Sequence, residues 1–438
     1  MPKSKDPFLR FSRLHQCLAD LLFDPSKYFV FTPWGQRIGH LAIEIILAIS
    51  IAIRDDKQLI LVPHIRSVNK EIFNCRFNCP TYKRKDWRRW LLKITILFSG
   101  LFHFGYNGIR SKIIKVIPFL SKIIPSIFFY PRYGIENGRW EGIKLRGANY
   151  YLDWELLLSN DYQVSLNPEQ LTRGDEIRDK MGIPKDAWFV CLHVREQGYL
   201  GTGHIHRNSS ISNYLPAIKN ITERGGFVVR MGDPTMTPLQ PMDKVIDYAL
   251  SNFRSNLMDI YLMSQCSFFL GCDSGMYFLA WLFRKPSCLV NVTELAAAPP
   301  FLPEKIFIPK RFYSKQKQRF ISLREELNSN KIMFNSNYIY VENTPEEILE
   351  TVKEYLYFME NGKFYNSDHL QKEFYSLRSK RHKKFLKNDS NESEKKGEKD
   401  IIGGTLLSNG RVGSFYLEQC WDNSPYLQEL TKLYNGKG

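Results

Sequence analysis

The chain has 438 residues, more than one ordinary core can hold and about right for two or three domains. Hydrophobic residues make up 43% and aromatic residues 14%, which excludes a largely disordered chain. Lys and Arg total 61 against 45 Asp and Glu, a formal net charge of +16, and this favours an anionic partner such as nucleic acid, an acidic membrane surface or a phosphate-bearing substrate.

The opening stretch, MPKSKDPFLRFSRLHQ, lacks the continuous apolar run of a secretory signal. The eight cysteines are scattered without a CxxC pair, and Cys191, Cys266, Cys272 and Cys288 lie in or beside apolar runs, as buried free thiols do. Neither a disulfide framework nor a zinc site is expected, which points to a reducing, cytoplasmic compartment. The Asn-x-Ser/Thr triplets at Asn208, Asn220, Asn291, Asn388 and Asn391 are then chance occurrences.

KYFVFTP, residues 27–33, reads as a first strand. WGQRIGHLAIEIILAISIAI is a glycine-containing turn entering an apolar helix, and LILVP at 59–63 is a second buried strand. Strand, helix and strand make one βαβ unit. Residues 83–130 differ: Trp87, Trp90, Leu91, Ile94, Phe98 and Leu101 fall at helical spacing while Lys83, Arg84, Lys85, Arg88, Arg89 and Lys93 crowd the start. No stretch there reaches the roughly 20 uncharged residues of a membrane span. Two readings stand, a basic amphipathic helix lying on a membrane surface through residues 83–104, or a helix packed on its own domain with a solvated basic rim.

From about residue 180 the pattern is regular. AWFVCLHV (187–194), FVVRM (227–231), SFFLG (267–271) and PSCLVN (286–291) read as strands, and YLPAIKNITERGG, NLMDIYLMSQC and MYFLAWLF read as the helices between them. Short connections between alternating strands and helices predict a doubly wound parallel sheet. PEEILETVKEYLYFME (345–360) is a helix with Pro at its start and acids in its first turn. SKRHKKFLKNDSNESEKKGEKD (379–400) is charge-dense and reads as a flexible linker, and GRVGSFYLEQCWDNSPYL is apolar enough to dock back.

In parallel α/β sheets, ligands lie beyond the carboxyl ends of the strands. Three strands of the second half end in His193-Val-Arg195-Glu196, Arg230-Met-Gly232-Asp233 and Gly271-Cys-Asp273-Ser274-Gly275. Asp273 and Ser274 are expected to cap the following helix, and Gly275 to leave its backbone open to close approach. The amides of that helix start then form a site for phosphate oxygens, and Arg195 and Arg230 would add charge-assisted hydrogen bonds to a diphosphate. Plain helix capping is the competing reading of Asp273-Ser274-Gly275. GTGH (201–204) is a glycine loop placed to close over such a ligand. The chain has no GxGxxG, no Walker A sequence and no Asp-x-Asp, and His193, His204 and His206 lack a Cys or Glu at ligand spacing, so neither a cofactor nor a metal is expected.

CSFFLGCDSGMYFLAWLFRKPSCLVN resembles the Asp-(Thr/Ser)-Gly segment of the heptosyltransferases, where a donor diphosphate meets a helix start. LHVREQGY resembles the His-x-Arg segment of GT-B fucosyltransferases, whose arginine contacts the donor phosphate; that segment continues Arg-Arg-x-Asp where this chain has Arg195-Glu196-Gln197. The order of HVRE, GGFVVRMGD, GCDSG and GRVGSFYLEQCWDNSPYL is similar to a bacterial glycosyltransferase family of surface-polysaccharide loci. The resemblance implies an α/β fold of GT-B type, two Rossmann-like doubly wound domains facing a cleft. RIGHLAIE resembles the heptosyltransferase turn in which a Gly-Asp pair supplies the catalytic base, with His40 in the place of the Asp. A histidine can serve there, and Glu44, one turn on, can orient it or act instead. The competing reading is that His40 caps the helix and Glu44 faces water.

The expected organisation is an acceptor domain over 1–175 with the basic insertion near 83–130, and a nucleotide-sugar domain over 176–343. A helix packing back over 344–378, a linker over 379–400 and a docking tail over 401–438 complete it. The expected activity is metal-independent, inverting transfer of a sugar from a nucleotide diphospho-sugar to a surface-glycan or lipid-linked acceptor, on the inner face of the cytoplasmic membrane if the basic helix touches lipid. Arg195, Arg230, Asp273, Ser274 and Gly275 would hold the donor phosphates, with His193, Gly232 and Asp233 beside them. The alternatives are a nucleotide-sugar epimerase or hydrolase of the same fold, a non-catalytic glycan-binding relative, and a nucleic-acid-binding protein. The last is disfavoured because no recognised nucleic-acid motif is present and the basic residues are spread widely.

Overall fold

The computed structural model describes residues 22–31, 33, 37–63, 67–78, 135–136, 139–140, 162–198, 205–272, 274–293, 305–329, 335–364, 369–387 and 410–436. The basic segment 83–130, the glycine loop 201–204, Asp273 and residues 388–400 lie outside them. The chain divides into two compact units between Ser165 and Leu166 rather than at 175, and the C-terminal tail belongs to the second.

In the first unit, strand β1 (Tyr28–Phe31), helix α1 (Ile38–Arg54) and strand β2 (Gln58–Leu61) form the expected βαβ element, with β1 and β2 parallel and Tyr28 opposite Gln58. Helix α1 is apolar on nearly every face, and Leu41, Ala42, Ile45, Ile46, Ala48 and Ile49 have no exposed surface. A helix of that composition is stable only when covered all round. It ends where Asp56 takes a left-handed φ of 50°, which lets the Lys57 N–H reach back to the Ala52 carbonyl. Beyond it, β3 (Arg76–Phe77) pairs with a later strand, and β4 (Ile135–Glu136) pairs antiparallel with β5 (Arg139–Trp140). The partner of β3 is β6 (Val164–Ser165).

The second unit opens on α2 (Pro168–Lys180), begun by a reciprocal cap between Asn167 and Gln170 with Pro168 in the first turn. The core follows in chain order as β7 (Phe189–His193), α3 (Leu215–Glu223), β8 (Phe227–Arg230), β9 (Val245–Ile246), α4 (Asn256–Gln265), β10 (Phe268–Gly271), α5 (Gly275–Leu282), β11 (Ser287–Val292) and β12 (Lys305–Pro309). Every residue of β7, β10, β11 and β12 is buried, as strands covered on both faces must be.

A short antiparallel sheet of β13 (Arg311–Ser314), β14 (Arg319–Phe320) and a later strand comes next, with α6 (Leu323–Asn328) attached; its third member is β15 (Tyr338–Val341). Helices α7 (Pro345–Asn361) and α8 (His369–Lys387) follow, then β16 (Arg411–Val412), α9 (Ser414–Cys420) and α10 (Pro425–Asn435). The extent of α8 corrects the expected linker, because 379–387 continue the helix. The tail does more than dock, since β16 completes the main sheet beside β12.

The spatial order of that sheet is β16-β12-β11-β10-β7-β8-β9, with every pairing parallel. The chain starts at β7, builds outward through β8 and β9, then returns to β10 on the opposite side and builds the other way. This is the reversal of a Rossmann-type doubly wound sheet. Helix α3 packs with α7, whereas α4 packs with α2 and α5. Right-handed crossovers running in opposite directions put these two sets on opposite faces of the sheet. The switch point lies between β7 and β10, where Gly271 stands opposite His193. A Cβ on Gly271 would lie 2.8 Å from the His193 carbonyl oxygen, so only glycine lets the strands close there.

Candidate functional site

At a switch point the connections on either side turn away from each other and leave a crevice at the carboxyl edge. Here the chain leaving β7 carries His193 and Arg195, and the chain leaving β10 carries Cys272 and Ser274. The two exits are tied past the last ladder pair. Cys272 donates its N–H to the His193 carbonyl at 3.2 Å, and the Arg195 N–H reaches the Cys272 sulfur at 3.1 Å. Arg195 is buried, with 8% of its surface exposed.

Ser274 is the residue before α5, in extended conformation, and Gly275 is the helix's first residue. The Ser274 hydroxyl makes no capping bond, contrary to the expected cap. It is 3% exposed and has no hydrogen-bond partner among the described residues. A buried hydroxyl left in that state costs stability unless something else satisfies it. It sits at a helix start, where the amides and the dipole favour an anion.

His193 is in a similar position, 8% exposed and with Nδ1 unpartnered among the described residues. Burial, helped by the Arg230 and Arg195 charges, holds its imidazole down to about 4 against the opposing pull of Asp233. At neutral pH it is therefore an uncharged ring, able to exchange a hydrogen bond but not to add positive charge.

Arg230 departs from the sequence expectation. It has no exposed surface, and its guanidinium is used inside the protein. One terminal nitrogen donates to the Thr237 carbonyl at 2.7 Å and to Asp247 at 3.2 and 3.3 Å, the other pairs with Glu196, and Nε is buried without a hydrogen-bond partner among the described residues. Glu196 also accepts the Thr237 N–H at 2.8 Å, and Asp247 the Leu239 N–H at 3.0 Å. The cluster fastens the 232–247 connection to the end of β7. Arg230 therefore serves as an internal tie, because a guanidinium shared by two carboxylates has no excess charge for a phosphate.

Gly232 and Asp233 are structural in the same way. Gly232 has a φ of 153°, and a Cβ there would lie 2.3 Å from the Met236 sulfur. The Asp233 carboxylate accepts the Thr235 N–H at 2.9 Å and the Thr235 hydroxyl, closing its own turn.

The edge also holds polar residues that strand-by-strand reading missed. Lys310 follows β12, and Asn291, the last residue but one of β11, has a positive φ of 55° at a register shift. Asn291 and Asn343 exchange backbone-to-side-chain bonds of 2.6 and 2.7 Å, and the Asn291 amide donates to the Tyr214 hydroxyl at 3.2 Å. KIFIPKRF ends a strand in two cations, a signal available had 305–309 been read as a strand.

In the first unit, His40 lies in the first turn of α1 and is half-buried, while Glu44 is fully buried on the same helix. The residue preceding that helix is Arg37, so His40 is not its cap, and Glu44 does not face water. The His206 ring stands 5.3 Å from that of Tyr340. Among the described residues no three His, Cys, Asp or Glu side chains group as metal ligands, and no helix is long and apolar enough to cross a membrane.

No protein-family model matches this chain, and no curated protein does. Among solved structures it is similar to a glycosyl transferase family 9 protein from Veillonella parvula, at 12% identity and a TM-score of 0.41 over 76% of this chain and 97% of that one. It is also similar to the UDP-GlcNAc 2-epimerase of Methanocaldococcus jannaschii, in complex with UDP-GlcNAc and UDP, at 12% identity and a TM-score of 0.23 over 80% of each chain.

Proposed function

We propose that the protein is a glycosyltransferase that moves a sugar from a nucleotide diphospho-sugar to a hydroxyl of a surface-glycan or lipid-linked acceptor. One observation carries this reading. At the switch point of the sheet, a buried arginine follows one central strand and an unsatisfied buried serine hydroxyl, at a helix start, follows the other. A cation, helix-start amides and a hydroxyl are the groups that a diphosphate requires.

In this mechanism the acceptor oxygen attacks the anomeric carbon as the bond from that carbon to the distal phosphate oxygen breaks. The electron pair leaves with the nucleoside diphosphate, and the new glycosidic bond has inverted configuration. Arg195 and the Ser274–Gly275 amides stabilise the charge that grows on the leaving diphosphate. Neutral His193 accepts or donates one hydrogen bond without adding charge. The acceptor proton passes to a general base, for which His40 and Glu44 of α1 are the candidates. The basic segment 83–104 would meet a lipid-linked acceptor at an anionic membrane surface.

Arg195→Ala tests the reading. Charge-assisted hydrogen bonds contribute about 1.5–3 kcal/mol, so nucleoside diphosphate affinity should fall about tenfold to a hundredfold while far-UV circular dichroism stays unchanged. Unaltered affinity in a folded variant would count against the whole assignment. Incubating labelled nucleotide-sugar without acceptor distinguishes transfer from epimerisation, since an epimerase still converts it.

A further inference from the structure

The carboxyl edge of the sheet carries another buried cation besides Arg195 and the committed Arg230. Lys310 follows β12, is 3% exposed, and is anchored by its own N–H to the Val292 carbonyl at 2.8 Å. Strands in a sheet stand about 4.8 Å apart, so β12 begins some three spacings from β7. The loop that follows β7 closes that gap. The Ser209 N–H donates to the Arg195 carbonyl at 2.9 Å, and the Lys310 ammonium donates to the carbonyl of Asn208, the residue before it. Two hydrogen bonds and one peptide link thus separate the ammonium of Lys310 from the backbone of Arg195. The Asn208 side-chain oxygen beside them is buried and has no hydrogen-bond partner among the described residues. The Ser274 hydroxyl and His193 Nδ1 are in the same state. Asn208 adjoins the Lys310 contact, and Ser274 and His193 lie at the carboxyl ends of β10 and β7, so these buried polar atoms belong to one edge of the sheet, where a polar ligand would satisfy them.

We propose that Lys310 binds the second phosphoryl group of the ligand held by Arg195 and the start of α5, which makes the site selective for diphosphates over monophosphates. This rests on the reading given under Proposed function. An ammonium is a point charge with three donors and suits a phosphoryl group that sits off the plane of the arginine. It takes the part that the order of strand ends assigned to Arg230.

Isothermal titration of the full chain with UDP, GDP and ADP, each beside its monophosphate, tests the assignment. The wild type should bind its best diphosphate at least tenfold more tightly than the matching monophosphate. Lys310→Gln should reduce that preference below threefold while monophosphate affinity stays within threefold of wild type. Equal loss for both ligands would make Lys310 a mere support for the 205–214 loop, and no loss for either would remove it from the site; both outcomes overturn the proposal. Lys310→Arg keeps the charge and should retain the preference, so a folded Lys310→Arg without it also overturns the idea. Should Lys310→Gln fail to fold, equal affinity of the wild type for diphosphate and monophosphate is still decisive against it. Absence of any diphosphate binding by the wild type would instead sink the donor-site reading itself.

Discussion

His193 shows how one residue joins fold and site. Its imidazole is buried and held down to about 4, against about 6.5 in the unfolded chain. The unfolded state therefore binds the proton first, and stability is lost as pH falls from about 6.5 to about 4. A difference of that size amounts to about 3 kcal/mol. Urea denaturation at pH 7 and pH 4.5 should show a steeper loss for the wild type than for His193→Gln. Parallel curves for the two proteins would show that the histidine is not buried as described. Gly271 is a second single-residue constraint. Gly271→Ala would press a methyl group against the His193 carbonyl and the Phe269 ring. Overpacking of this kind costs about 1–3 kcal/mol, and a variant that melts at the wild-type temperature would refute the tight approach.

Between elements, buried ion pairs fasten connections to strand ends. Arg230 bridges the end of β7 to the 232–247 connection through Glu196 and Asp247, whose side chains keep 18% and 21% exposure. Removing one partner of a buried pair costs about 3–5 kcal/mol, and that residual exposure places Arg230→Met near 3 kcal/mol. The loss should appear in urea denaturation. A fully stable variant that has lost nucleoside diphosphate binding would return Arg230 to the ligand site. Glu347 plays the same organising part beside β13. It pairs with Arg311 at 2.8 Å, accepts the Thr344 N–H at 2.9 Å and the Tyr426 hydroxyl at 3.1 Å, and has no exposed surface. It thereby joins the start of α7 to the tail helix α10.

At the scale of the second unit, the C-terminal tail is part of the core. Strand β16 forms one edge of the main sheet, and Glu354, 1% exposed, takes Arg411 at 2.8 Å and the Ser414 N–H at 2.6 Å. Arg324 likewise pairs with Asp422 at 2.8 Å, and the Tyr313 hydroxyl meets Asn435 at 2.6 Å. Deleting residues 410–438 would strand Glu354 as a buried carboxylate and uncover the edge of β12. The truncated protein should lose the cooperative thermal transition of this unit. A chain ending at 409 that melts as the full chain does would show the tail to be dispensable.

The sequence by itself determined the alternation of elements, because burial on both faces of a parallel strand and the period of an amphipathic helix are local properties of the chain. KYFVFTP, AWFVCLHV, FVVRM, SFFLG and PSCLVN all contain strands, and MYFLAWLF lies within the α5 region. It also led to the turn at Ser274, since an interrupted apolar run is visible in one dimension. Strands β12, β13, β15 and β16 escaped it, as did the helical continuation through 379–387, whose stability is not written in charge density. Only the tertiary structure decided that Arg230 is held within the fold. Arg195 and Arg230 look alike as strand-end arginines, yet the partners that occupy Arg230 lie 34 and 17 residues away. Lys310 meets the loop carrying Asn208 across 102 residues. Charge is neutralised by neighbours in space, and no local pattern contains those neighbours.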